Sequence, residues 1–254
     1  MSPATASARC VLITGASRGI GAAAALACAV KGWDVAVNYA RDERAAQAVA
    51  EQVRGVGRRA IVVAADVADE AAVLAMFSRI DAELGLLTGL VNNAGVIDEQ
   101  VRVDAISVAR LQRMFAINVF GSFVCAREAL KRMSTKHGGP GGAIVNLSSV
   151  AAKLGAPGWY VDYAASKGAI DSFTVGLARE VALEGVRVNA VRPGIIDTDI
   201  HASGGQPDRA HASATLIPMQ RPGTADEIAS AIVWLLSEDA AYTTGAIIDV
   251  SGGR

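Results

Sequence analysis

The stretch WYVDYAASK, residues 159–167, holds two tyrosines and a lysine, side chains that together can move a proton. A phenol has an ordinary pKa of about 10, too high for an efficient base near neutrality, and a neighbouring cation lowers it by favouring phenolate. On a helix, Tyr163 and Lys167, four apart, face each other across one turn; Tyr160 and Lys167, seven apart, share a face two turns away. Tyr163 is the nearer partner on that geometry. A second feature is TGASRGIG, residues 14–21. Gly15, Gly19 and Gly21 remove side chains where a backbone must turn and where a nucleotide must approach, and the helix that follows offers free N–H groups to a pyrophosphate. The spacing G-x-x-x-G-x-G differs from the dinucleotide fingerprint G-x-G-x-x-G, and a tight strand-to-helix turn alone would use the same glycines.

These residues need elements to position them. Short apolar runs rich in β-branched residues recur at 10–14, 35–39, 60–66, 89–95, 142–149, 186–194 and 245–253, separated by longer segments of Ala, Leu, Glu and Arg with helical periodicity. The runs are continuously apolar rather than alternating, as in strands covered on both faces. Strands alternating with helices imply an α/β fold: a Rossmann-type, doubly wound sheet of about seven parallel strands in three α/β/α layers. The 254 residues fit one such domain, 1–254, with no linker or repeat. Two long loops are expected, 134–142 and 196–218, and the second is long enough to serve as a substrate lid. The segment AREALKRM (126–133) reads as an amphipathic helix with a charged outer face.

The bulk numbers exclude several functions. A formal charge of −1 leaves no basic surplus for phosphate backbones, so nucleic acid is not an expected partner. Cys10, Cys28 and Cys125 lie far apart inside apolar segments and read as buried small hydrophobes. His137, His201 and His211 fall in the loops without a cysteine or acidic cluster, so no metal is expected. No apolar stretch reaches a membrane span and the N-terminus lacks a signal pattern, which points to the cytoplasm.

Six motifs now stand in order: TGASRGIG, NNAG (92–95), Asn118 in INVFGSF, NLSS (146–149), YAASK (163–167) and RPGIIDT (192–198). Together they resemble the short-chain dehydrogenase/reductase family, over most of the chain. The resemblance implies a seven-stranded sheet, an NAD(P)(H) cofactor, and hydride exchange between nicotinamide and a carbonyl or alcohol substrate. It implies Tyr163 as the acid/base, Lys167 behind it, Ser149 holding the substrate oxygen, and Asn118 holding a water that links Lys167 to solvent. Read without the resemblance, Asn118 is a polar residue inside a helix, and Ser148 and Ser149 are equivalent at a strand end.

The same resemblance assigns the cofactor contacts. Gly15, Ser17, Arg18, Gly19, Ile20 and Gly21 would meet the phosphates, and Asp66 and Val67 the adenine, although an Asp after a strand also caps or turns. Asn92, Ala94 and Gly95 would run along the cofactor, Lys167 would bond the ribose, and Pro193, Gly194, Ile195 and Thr198 would stand near the carboxamide. At the end of the second strand, Tyr39 occupies the place of the acid that selects NAD, with Asn38 before it and Arg41 after. Arg41 and Arg18 could converge on a 2′-phosphate, so NADP(H) is expected as the preferred cofactor and NAD(H) as the alternative. Asp42 and Glu43 are expected to open the next helix. Val96, Ile97, Leu154, Trp159, Tyr160 and the 196–218 loop would shape the substrate pocket. Family members commonly assemble as tetramers, so a homotetramer or dimer is expected. Three narrower readings stay open: a 3-oxoacyl-carrier-protein reductase, with an acyl carrier protein as partner, a sugar dehydrogenase, and a nucleotide-binding regulator without catalysis.

Overall fold

All seven apolar runs form strands in the computed structural model, which describes residues 9–198, 204–206 and 208–254. They are β1 (Arg9–Ile13), β2 (Trp33–Tyr39), β3 (Ala60–Ala64), β4 (Leu87–Asn92), β5 (Gly142–Leu147), β6 (Val186–Pro193) and β7 (Ile247–Val250). Every pairing is parallel, in the order β3-β2-β1-β4-β5-β6-β7. The helices are α1 (Gly19–Val30), α2 (Glu43–Gly55), α3 (Glu70–Glu83), α4 (Val108–Phe115), α5 (Gly121–Met133), α6 (Ala151–Leu154), α7 (Val161–Glu180), α8 (Arg209–Ala212) and α9 (Ala225–Leu236). A π-helical turn, Ala116–Phe120, joins α4 to α5. Among the described residues no helix is long and apolar enough to cross a membrane.

The period of two along each strand explains the layers. In β1, Val11 and Ile13 face the side covered by α1, α2 and α9, while Cys10 and Leu12 face α3, α5 and α7. All four are fully buried, so an unbroken apolar run is what the sheet requires. The three cysteines are buried thiols, each pushed up to about 12 by desolvation.

Strand order reverses next to β1, because the chain winds outward to β3 and then returns to lay β4 on the other side. The carboxyl ends of β1 and β4 therefore flank the switch point where open α/β sheets bind ligands. Helix ends follow local chemistry. Asp42 caps α2, accepting from Ala45 N at 2.9 Å, and Thr224 and Glu227 close a capping box on α9. Helix α1 has neither a side-chain cap nor an acid in its first turn.

The expected loops are more structured than open connectors. Residues 134–142 include a 3-10 turn, Thr135–His137. In 196–218, α8 and a second 3-10 turn, Ala214–Leu216, precede α9. Residues 199–203 and 207, with His201 and Pro207, lie outside the described residues. His211 sits in α8 with Nε2 3.4 Å from Asp197 Oδ2. The charged face of α5 meets more than solvent: Arg127 and Arg132 bond Glu70 and Asp81 of α3, each at 2.7 Å.

Candidate active site

The glycine turn is held by three strands at once. Thr14 Oγ1 donates to Val91 O and accepts from the N–H groups of Asn93 and Ala94, both at 2.9 Å. The Asn93 amide donates to Thr14 O at 2.8 Å and Gly15 O at 3.0 Å. Asn38 Oδ1 accepts from Gly15 N at 3.1 Å, while its Nδ2 donates to Val63 O and Ala65 O. Gly15 and Gly19 have φ of +62° and +55°, the region that favours glycine. A Cβ on Gly21 would lie 2.5 Å from Gly15 O and 2.6 Å from Asn93 Nδ2. The turn is thus a fixed cradle opening onto the uncapped first N–H groups of α1, a place that suits a pyrophosphate.

Around this cradle the expected contacts divide. Ser17 and Ile20 are half-buried, and Arg18, at the N-cap of α1, and Arg41, beyond β2, are exposed. Tyr39 ends β2, and burial together with the neighbouring Glu43 carboxylate raises its phenol pKa. Asn38 is a buried brace whose amide is spent on the backbone, and Asn92 is another. Asn92 Nδ2 donates to Asn146 Oδ1 at 3.0 Å and Ser122 O at 3.2 Å, and Asn146 continues to Thr174 Oγ1. Asn93, which the sequence reading passed over, is the amide that lines the crevice. Asp66 has an exposed carboxylate that also accepts from Ala68 N, while Val67 packs under Gly121.

The acid–base corner assembles from β5, α7 and the π turn. Tyr163 and Lys167 stand one turn apart on α7, as their spacing predicts, with Lys167 Nζ 5.7 Å from the Tyr163 ring centroid. The Lys167 ammonium donates to Leu147 O at 2.7 Å. The Ser149 hydroxyl is near enough to the Tyr163 phenol to pull its pKa down, and Ser149 Oγ accepts from Ala151 N. Ser148 turns away and donates to Lys167 O at 3.2 Å, so the two serines are distinguished by geometry. Asn118, on the π turn, bonds both backbone groups of Val96 and Ser166 Oγ. Ser166 Oγ in turn donates to Tyr163 O at 2.7 Å. Gly95 is where Asn118 and Lys167 meet: a Cβ there would lie 3.4 Å from Asn118 Oδ1 and 3.5 Å from Lys167 Nζ.

Two expectations need correction. Tyr160 is the N-cap residue of α7, off the helix proper, and only 2% exposed. The Tyr163 phenol stands above its ordinary value, because burial outweighs the Ser149 hydroxyl and the nearby Arg209 charge that pull it down. Lys167 is pushed down to about 8 by burial, opposed by Asp171 one turn on.

Above this corner lies a crevice of about 490 Å³. Ile97, Leu154, Trp159 and Tyr160 line it as expected, together with Pro193, Gly194, Ile195 and Thr198. Val96 is absent from the lining, its backbone being tied to Asn118. Arg209 and Leu216, from the 196–218 loop expected to shape the pocket, line it too, and Arg254 joins them without any motif that would have announced it.

A parallel sheet with a glycine cradle at its switch point and a Ser–Tyr–Lys corner beside it defines a Rossmann-type oxidoreductase. Residues 15–254 match the family model described as Enoyl-(Acyl carrier protein) reductase. The chain is 55% identical to the protein named Uncharacterized oxidoreductase YgfF of Escherichia coli (strain K12), over 96% of this chain and 98% of that one. It is 37% identical to the 3-oxoacyl-[acyl-carrier-protein] reductase FabG of Staphylococcus aureus (strain Mu50 / ATCC 700699), over 95% and 96%. A crystal structure of a short-chain type dehydrogenase/reductase from Mycobacterium marinum superposes with a TM-score of 0.90 at 34% identity, covering 97% and 95% of the two chains. The chain belongs to the short-chain dehydrogenase/reductase family, whose members bind NAD(P), and is an oxidoreductase.

Proposed function

We propose that this chain uses NADP(H) to exchange a hydride with a carbonyl or secondary alcohol, with Tyr163 as acid and base. The observation that carries the reading is the meeting of Ser149 and Tyr163 in the lining of one crevice, with Lys167 one turn behind. The bound nicotinamide supplies or accepts the hydride. Ser149 Oγ donates a hydrogen bond to the substrate oxygen, and Tyr163 Oη gives that oxygen a proton as negative charge develops on it. Lys167 stands ready to make good the phenol's proton, and Asn118, which shares Gly95 with Lys167, positions a water path to it.

The cradle residues Gly15, Ser17, Arg18, Gly19, Ile20 and Gly21 would hold the phosphates. Asp66 and Val67 would face the adenine, Asn93, Ala94 and Gly95 the middle of the cofactor, and Pro193, Gly194, Ile195 and Thr198 the carboxamide. Preference for NADP(H) is supported by Tyr39 in place of an acid and by the exposed Arg18 and Arg41 on either side of the β2 end, with Asp42 spent on its helix cap. A homotetramer or dimer is supported by Phe120 and Phe123, exposed on the π turn and α5, with Phe123 stacked on Phe173 of α7 at 3.8 Å.

The test is oxidation of NADPH and NADH against a panel of carbonyls. Turnover of an acyl thioester identifies a carrier-protein reductase and turnover of a polyol in reverse identifies a sugar dehydrogenase. Cofactor binding without turnover of any member sinks the reading in favour of a nucleotide-binding regulator.

A further inference from the structure

The crevice has a charge pattern that proton transfer at Tyr163 does not require. Among the described residues, every charged side chain that lines it is a cation, namely Lys167, Arg209 and Arg254, and no Asp or Glu lines it. Lys167 belongs to the acid–base corner. Arg209 is built into the opposite wall: its guanidinium carbon lies 5.1 Å from the Trp159 ring centroid and 4.9 Å from that of Tyr160. The two rings meet edge to face at 88°, so the planar guanidinium is held by aromatic surfaces and its orientation is set.

Among the described residues, one Arg209 donor has no acceptor. Its Nε is buried and has no hydrogen-bond partner. Other partly buried arginines here are met by acceptors: Arg110 by Asp162 at 2.7 Å, Arg192 by Asp171 at 2.7 Å, and Arg187 by the carbonyls of Leu235 and Ser237. A buried donor without a partner costs free energy, and one on a cation costs more. Arg254 lines the same crevice and feels the Arg209 charge, which adds to the demand for an anion. The Arg209 charge also reaches the Tyr163 phenol, and both side chains line the same crevice.

We propose that Arg209, with Arg254 beside it, binds an anionic group on the substrate, so that the crevice selects short oxo or hydroxy acids, or phosphorylated ketones, over neutral carbonyls. The proposal rests on the hydride-transfer reading and names its substrate class. A guanidinium offers parallel N–H donors that match a carboxylate or a phosphate, and the apolar wall around it strengthens that bond by excluding water. The sequence offered no motif for this role.

The test pairs each anion with a neutral isostere: acetoacetate with methyl acetoacetate, pyruvate with methyl pyruvate, and dihydroxyacetone phosphate with dihydroxyacetone. Wild-type kcat/KM should favour the anion in at least one pair, and the pair that shows it tells carboxylate from phosphate. R209M should reduce that anion-to-neutral ratio about 10- to 100-fold, and R209K should restore part of it. Thermal unfolding of both variants checks that each is folded. A wild type that favours the neutral partner in every pair, or a ratio unchanged in R209M, overturns the proposal. So does an R209M effect confined to the Kd for NADPH, which would place Arg209 on the cofactor. Calorimetric titration of the same six compounds into NADPH-loaded Y163F reads anion binding without turnover. Failure of the anion site and failure of the hydride-transfer reading therefore give different results: no anion preference in calorimetry defeats the first, and no turnover of any member of the wider carbonyl panel defeats the second.

Discussion

Lys167→Met should stabilise the cofactor-free protein near neutrality, by an amount that fades as pH rises. Lys167 is 5% exposed, and burial moves its pKa from 10.5 to about 8. At 1.36 kcal/mol per pH unit, that gap is a penalty of ~3 kcal/mol for holding the ammonium in the fold at pH 7. The sign follows from proton counts. Between pH 8 and 10.5 the unfolded chain binds more protons than the folded one, so wild-type stability rises with pH through that window. Below about 8 the whole penalty is present. Methionine has a similar length and no charge, so the variant lacks this slope. It also loses the bond to Leu147 O, which subtracts a pH-independent ~1 kcal/mol or so. The assay is urea unfolding of both proteins at one concentration from pH 6.5 to 9.5. The variant's advantage should shrink by about 2 kcal/mol between pH 7 and 9.5. Parallel profiles would mean that Lys167 titrates normally in the fold, and the account of a desolvated ammonium beside Tyr163 would be wrong.

The two serines should separate cleanly. Ser149→Ala should lower kcat about 10- to 1000-fold by removing a donor to the substrate oxygen, whereas Ser148→Ala should cost about 0.5–1.5 kcal/mol of stability through its bond to Lys167 O; equal kinetic losses would contradict the assignment. Gly21→Ala should destabilise by about 1–3 kcal/mol, a Tm drop of roughly 2–4 °C per kcal/mol, because its Cβ would press on Gly15 O and a tethered Asn93 amide; an unchanged Tm would show that the cradle gives way. Arg41→Ala should raise KM for NADPH and leave that for NADH nearly unchanged, with kcat/KM measured on both cofactors; equal losses on the two would remove Arg41 from a 2′-phosphate site.

The architecture was legible because two-sided burial keeps the middle of each strand largely apolar, as in VLI of β1 and AIV of β5, and the Ala, Leu and Glu segments between them carry the helical period of covering helices. Tyr163 and Lys167 were legible for the same kind of reason, since the rise of one helix fixes their separation. Side-chain direction at strand ends was not. Asn92 and Asn93 are neighbours, yet one bonds Asn146 inside the fold and the other reaches the cradle. Ser148 and Ser149 divide in the same way. Tyr160 left the helix register because Gly155, Ala156 and Gly158 turn the chain through positive φ just before α7. The 196–218 loop was legible as pocket wall, but which of its side chains meets Trp159 and Tyr160 was not, since they lie some fifty residues before Arg209 and no spacing links them to it.

The central claim is that Tyr163 delivers the proton. Its most direct test is single-turnover oxidation of NADPH by wild type, Tyr163→Phe and Tyr160→Phe with a carbonyl the wild type reduces, alongside the cofactor Kd of each. The account expects Tyr163→Phe to slow the step about 100- to 10,000-fold with Kd unchanged, and Tyr160→Phe, whose ring still faces Arg209, to have a much smaller effect. Equal rates for wild type and Tyr163→Phe, both folded and both binding cofactor, would contradict it.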